Sequence, residues 1–162
     1  MVEFNYTLRE HGWATIDADF GDTRIRFEVS YMSHALEDFV SSVIALLTGE
    51  VVSRFALIDE QPGEHCWVIN RDDDTLRIRI VRLDTFWRTE CYNLRKRPGQ
   101  PPPEEDGEVI LSWECPMPDF VRAVGRMLRD IESRYTPTEF ARTRNHGVPP
   151  DLVTRLWELS GE

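Results

Sequence analysis

A carboxylate, a base and a thiol follow one another at Glu64-His65-Cys66, the one place where the chain lines up residue types suited to nucleophilic chemistry. A thiol gains nucleophilic power when a neighbouring base takes its proton. The flanking residues read as a β-strand, however, and adjacent side chains on a strand point to opposite faces. His65 is therefore expected to miss Cys66, and no catalytic residue is assigned. Metal binding would need several ligands to converge. His11, His34, His65 and His146 are scattered, with no HxxxH or HxH pair. Asp72-Asp73-Asp74 lacks the spaced oxygens and glycine of a calcium loop and reads as a turn. No metal and no cofactor is expected.

The phosphate cradles GxxxxGK[ST] and GxGxxG and the nucleophile elbow GxSxG do not occur. Pro98-Gly99-Gln100-Pro101 fits PxxP but is too short a pattern to carry a function. What remains is surface chemistry. Arg24, Arg26, Arg77 and Arg79 are expected on the solvent face of a sheet, opposite Asp17, Asp19 and Glu28, with Trp13 on the side of Asp17. A mixed-charge lattice stabilises cross-strand pairing without any ligand. The alternative is a partner-binding patch in which Trp13, Phe86, Trp87 and Tyr92 join those arginines, since aromatic and arginine side chains anchor interfaces. Trp67 and Trp113 are expected in the core.

These residues need a frame, and the composition permits one. The chain has 162 residues, 41% hydrophobic and 30% charged, which suits a single folded domain over residues 1–162. A net charge of −10 argues against a nucleic-acid backbone as the main partner. The N-terminus shows no basic segment leading into an apolar run, and the apolar stretch Val43–Leu47 is far too short to span a bilayer, so no membrane is expected and the cytoplasm is the expected compartment. Cys66, Cys91 and Cys115 form no CxxC pair; they are expected reduced, as small core residues in strands.

Alternation at Ala14–Phe20 and Ile25–Val29 predicts two strands joined at Gly21-Asp22, where positive φ angles suit a tight hairpin. The period then changes. Leu36, Phe39, Val40, Val43, Ile44 and Leu47 form a helical stripe, with Ser33 as N-cap and Gly49 at the left-handed C-terminal position. Four strands follow at Val51–Asp59, Cys66–Arg71, Leu76–Leu83 and Phe86–Leu94, the first two joined through a type II turn at Gln61-Pro62-Gly63-Glu64. Residues 95–107, rich in proline and acid, read as a flexible loop. Val109–Cys115 gives a seventh strand. A helix opening at Pro118-Asp119 carries Phe120, Val121, Val124, Leu128, Ile131 and Tyr135; Thr136–Val148 reads as irregular, and Pro149-Pro150 begins a terminal helix. The expected fold class is α+β: about seven strands in one mainly antiparallel sheet, in the order β-β-α-β-β-β-β-β-α-α, with two main helices on one face.

His11-Gly12-Trp13-Ala14, Ser30-Tyr31-Met32-Ser33-His34-Ala35-Leu36 and Pro62-Gly63-Glu64-His65-Cys66-Trp67 resemble recurring features of an uncharacterised family of small bacterial proteins. The resemblance covers most of the chain. It implies an α+β domain and transfers no active-site residue; Phe140–Arg144 stands where the family's pattern implies a further tryptophan.

The leading expectation is a non-enzymatic protein-interaction module, in its specific form an immunity-type inhibitor that presents acid, including the run Glu104–Glu108, to a basic toxin. A small-ligand binder or minor enzyme with its site on the sheet face is the second reading. Self-association as a homodimer is the third.

Overall fold

The computed structural model describes residues 1–59, 62–144 and 148–161. Among these residues seven antiparallel strands and five α-helices make an α+β fold, in two sheets instead of one. The first sheet contains β1 (Glu3–Leu8), β2 (Ala14–Asp19) and β3 (Arg24–Val29) in that spatial order. The second contains β4 (Val52–Ile58), β5 (Glu64–Asp72), β6 (Thr75–Leu83) and β7 (Glu108–Pro116). Helix α1 (Ala35–Leu47) crosses between the sheets, α2 (Arg88–Arg95) interrupts the second, and α3 (Met117–Arg134), α4 (Pro137–Arg144) and α5 (Pro150–Ser160) close the chain. No described helix is long and apolar enough to cross a membrane.

The expected count of seven strands holds, but its membership changes. β1 is an addition: Val2, Phe4 and Tyr6 are buried between exposed Glu3 and Asn5, the alternation of a half-buried strand. Phe86–Leu94 is not a strand, because α2 occupies Arg88–Arg95. Thr136–Val148 is not irregular throughout, because α4 begins at Pro137. There Thr136 Oγ1 accepts the Glu139 N–H at 3.2 Å while a Glu139 carboxylate oxygen accepts the Thr136 N–H at 2.9 Å, a reciprocal capping box.

The turns follow residue chemistry. Phe20 N–H donates to Thr23 O at 2.9 Å, and of the two central residues only Gly21 has positive φ, the pattern of a type II′ hairpin. Asp73, at φ +50°, turns β5 into β6. Gly49, at φ +112°, ends α1 in a Schellman motif: Glu50 N–H reaches Ala45 O at 2.9 Å and Gly49 N–H reaches Leu46 O at 3.3 Å. Ser33 is not the N-cap of α1; its hydroxyl donates to Ser30 O at 3.1 Å, and His34 occupies the cap position. The expected turn at residues 61–64 falls partly outside the described residues.

One core joins both sheets. The stripes of α1 and α3 meet the inner faces around Trp67, fully buried on β5, which stacks on its cross-strand partner Phe55 at 5.3 Å between centroids. Phe55 in turn stacks on Phe39 of α1 at 4.8 Å. A second small cluster, Cys66, Val68, Val81 and Leu83, lies on the outer face of the four-stranded sheet. Residues 103–107 run across that face. A Cβ at Gly107 would come within 2.7 Å of Arg82 O, so only glycine lets the chain lie this close to β6.

Candidate functional site

Strand geometry disposes of the Cys–His pair. His65 packs edge-on against Phe27 of the first sheet at 5.1 Å, on the inner face, whereas Cys66 belongs to the outer cluster. Burial pushes the Cys66 thiol up to about 12 and does the same to Cys115, so neither forms a thiolate at neutral pH. Burial also lowers the His65 pKa, against the pull of Asp59 at 4.0 Å. Cys91 departs from the expected core role: it is exposed on α2. Among the described residues, no three His, Cys, Asp or Glu converge as metal ligands.

The anticipated surface residues are spread over the molecule. Arg24 and Arg26 pair with Asp19 and Asp17, each at 2.6 Å, on the three-stranded sheet. Arg77 binds Asp72 at 3.1 Å and Glu114 at 3.3 Å on the other sheet, where Arg79 also stands exposed on β6. Trp13 meets Tyr31 edge-on at 6.0 Å, Phe86 meets Trp87 at 6.1 Å, and Tyr92 lies beneath the Arg54 guanidinium at 5.6 Å. The acidic run does not all face outward either. Glu104 is 5% exposed and accepts from Arg54 Nε at 2.8 Å, while Asp106 pairs with Arg88 at 2.7 Å.

Several surface hollows among the described residues have similar volumes, about 570 to 730 Å³, so volume does not single one out and chemistry must. The cleft of about 630 Å³ at the open edge of β4 combines ionisable, hydroxyl and main-chain groups. Helix α1 supplies Asp38, Ser41 and Ser42 to one wall, and Trp87, Glu90 and Asn93 form the other. Of the surface set anticipated from sequence, Trp87 alone lines it.

Three local features shape this cleft. The first is its floor. Glu64, 1% exposed, accepts both the N–H and the hydroxyl of Thr89, at 2.8 and 2.7 Å, on one carboxylate oxygen. A strand carboxylate thereby caps the first turn of α2 from outside, where helix N–H groups lack partners. Burial nevertheless raises the Glu64 pKa against the opposing pull of Thr89, the Trp87 backbone N–H and Arg88, and its second oxygen makes no hydrogen bond of normal geometry.

The second feature is backbone direction. Val51 O accepts from Arg71 N on the β5 side, whereas Arg54 O accepts from Asn93 Nδ2 at 2.9 Å and Ile58 O from Ser30 N–H at 2.9 Å, both outside the ladder. Both main-chain groups of a residue in an antiparallel strand face the same side, and sides alternate. The N–H and C=O of Ala56 therefore turn outward into the cleft.

The third is electrostatic. Asp38 keeps surface accessible to cleft water, yet it sits in a wall between two helices where hydration is restricted. That desolvation holds its carboxyl up at about 6; Glu90 and Glu37 add to the effect and His34 opposes it. Trp87 enters α2 at φ +68°, a conformation that is costly for a bulky side chain and that persists only where its surroundings impose it.

Sequence reading set Glu64 beside His65 and Cys66 without giving it a partner, and it assigned Asp38 no role. The available signal was Glu64 just ahead of the apolar run Cys66–Ile69, a position that demands a partner when buried. No family model matches this chain, nor does any curated protein or solved structure.

Proposed function

We propose that the chain is a non-enzymatic protein-interaction module that receives an extended segment of a partner along β4, between α1 and α2. The observation that carries this reading is the outward-facing N–H and C=O of Ala56, flanked by Arg54 and Ile58 whose carbonyls already have partners outside the ladder. An exposed strand edge supplies main-chain hydrogen bonds to an incoming strand, and neighbouring hollows then select its side chains. The two buried thiols, both pushed up to about 12, favour binding over nucleophilic catalysis.

The test uses the full chain labelled with ¹⁵N and a pool of unstructured pentapeptides. Amide signals of Ala56, Asn93 and Ser41 should move. In Ala56→Pro the outward N–H is lost while the ladder to β5 stays intact, a substitution an edge strand tolerates, and the shifts should disappear. A pool that leaves these signals unmoved in the native chain contradicts the reading. A second reading, a small-ligand binder, draws support from the cleft volume, which lies within the roughly 300–1,000 Å³ typical of such sites. It requires small molecules to move the same signals when peptides do not.

A further inference from the structure

We infer that the cleft selects a cationic side chain, the charged end of an arginine or lysine borne by the segment laid along β4. This rests on the binding role given to the cleft and adds what that role recognises. Asp38 and Glu90 approach from opposite walls, and among the described residues neither makes an ion pair. The arginines nearby are engaged elsewhere, Arg54 with Glu104 and Tyr92 and Arg88 with Asp106, while the His34 imidazole lies 3.3 Å from Glu37. Two like charges held across a gap with no arginine or lysine paired to either make that gap attractive to a cation.

The acidic walls do not carry the inference alone. At the floor, Glu64 is buried with both Thr89 donors on one oxygen and none on the other. Buried polar atoms in folded proteins are nearly always satisfied, so an orphaned carboxylate oxygen marks either a standing cost or a place for an absent donor. Trp87, in its left-handed conformation, also lines the cleft, and an indole is the side chain best suited to attract a cation.

Geometry also sets the ligand's length. A strand added to β4 would lie two strand spacings from β5, roughly 10 Å. Of the ordinary residues, arginine and lysine carry a positive charge on a long stem. A hard metal ion fits poorly, since it would need several oxygens at one point.

The experiment compares three blocked tripeptides, Gly-Arg-Gly, Gly-Lys-Gly and the uncharged isostere Gly-citrulline-Gly, by calorimetry and by the amide shifts of Ala56 and Asn93. The cationic peptides should bind about tenfold tighter than the citrulline peptide, the size expected of a charged hydrogen bond. Asp38→Asn and Glu90→Gln should each cost about threefold against the cationic peptides alone, and Glu64→Gln should narrow the preference further, with α2 checked by circular dichroism. Equal affinity for arginine and citrulline peptides, both seated at Ala56, would overturn this inference and leave the binding role standing. If no peptide of any charge moves the cleft signals, the binding role falls with it. Agmatine and cadaverine binding as tightly as the peptides would overturn the assignment to a chain-borne cation. A preference that survives Asp38→Asn/Glu90→Gln and Glu64→Gln together would place the cation elsewhere and sink the proposal.

Discussion

Asp38 holds its proton to unusually high pH because desolvation in the cleft wall acts first, with Glu90 and Glu37 adding repulsion and His34 opposing them. An acid whose pKa is raised by folding, here from 3.8 to about 6, favours the fold below its unfolded value, and that contribution is lost as pH rises through about 6. Asp38→Asn should therefore stabilise the chain at pH 7 by about 1 kcal/mol, allowing for the screening of an accessible group. For a chain of this size that is roughly 2–4 °C in Tm, with no gain at pH 4. Melting curves of the two proteins at both pH values check it, and identical curves at pH 7 would contradict it. A cationic peptide should likewise lose affinity as pH falls below about 6, when Asp38 is neutralised. At this scale the sequence spoke clearly about what cannot react, since the opposed faces of His65 and Cys66 follow from strand geometry alone. It was silent on Asp38, because proximity of that carboxylate to Glu90 depends on where α2 comes to rest.

The placement of α2 is the point at which local signals and the fold disagree. Residues 86–94 are rich in aromatic and β-favouring types, and period alone reads them as a strand. Eight residues of helix have little stability by themselves. What fixes this one is a contact from far along the chain, Glu64 on the first turn, with Asn93 tying its last turn to Arg54 O. Thr89→Val removes the hydroxyl donor and should cost about 1–2 kcal/mol, seen as faster hydrogen exchange confined largely to residues 88–95. Exchange that quickens uniformly would mean that α2 does not open as a unit. The opposite case is α4. Its box Thr136-x-x-Glu139 was legible, and Thr136→Ala should cost about 1 kcal/mol by chemical denaturation. β1 was legible too, because Val2, Phe4 and Tyr6 alternate with polar residues as plainly as β2 does.

Across the whole molecule, the α+β class and the number of strands could be read from periodicity, but the division into two sheets could not. Alternation shows that a strand has a buried face and does not identify its neighbour. β3 and β4 come together only through contacts such as Ser30 N–H to Ile58 O, while the shared aromatic core around Trp67 does the joining. Trp67→Ala should cost roughly 3–5 kcal/mol, and both sheets should still unfold in one transition. Two separated transitions would show the sheets to be independent. The pair of half-buried Arg54 and buried Glu104 ties residues 103–106 to β4 in the same long-range way. Glu104→Ala should destabilise by about 1–3 kcal/mol, since the Arg54 left behind keeps some contact with water, whereas Arg54→Met with Glu104→Leu should be nearly neutral.

The contrast between Cys91, exposed on α2, and the sealed Cys66 and Cys115 has a practical side. In the native protein a maleimide dye or a colorimetric disulfide reagent should modify one thiol, and three after denaturation. A fluorophore can thus be attached at a single natural position, on the helix that forms one wall of the cleft, without engineering the chain. Its emission would give a direct optical readout of anything that settles against β4.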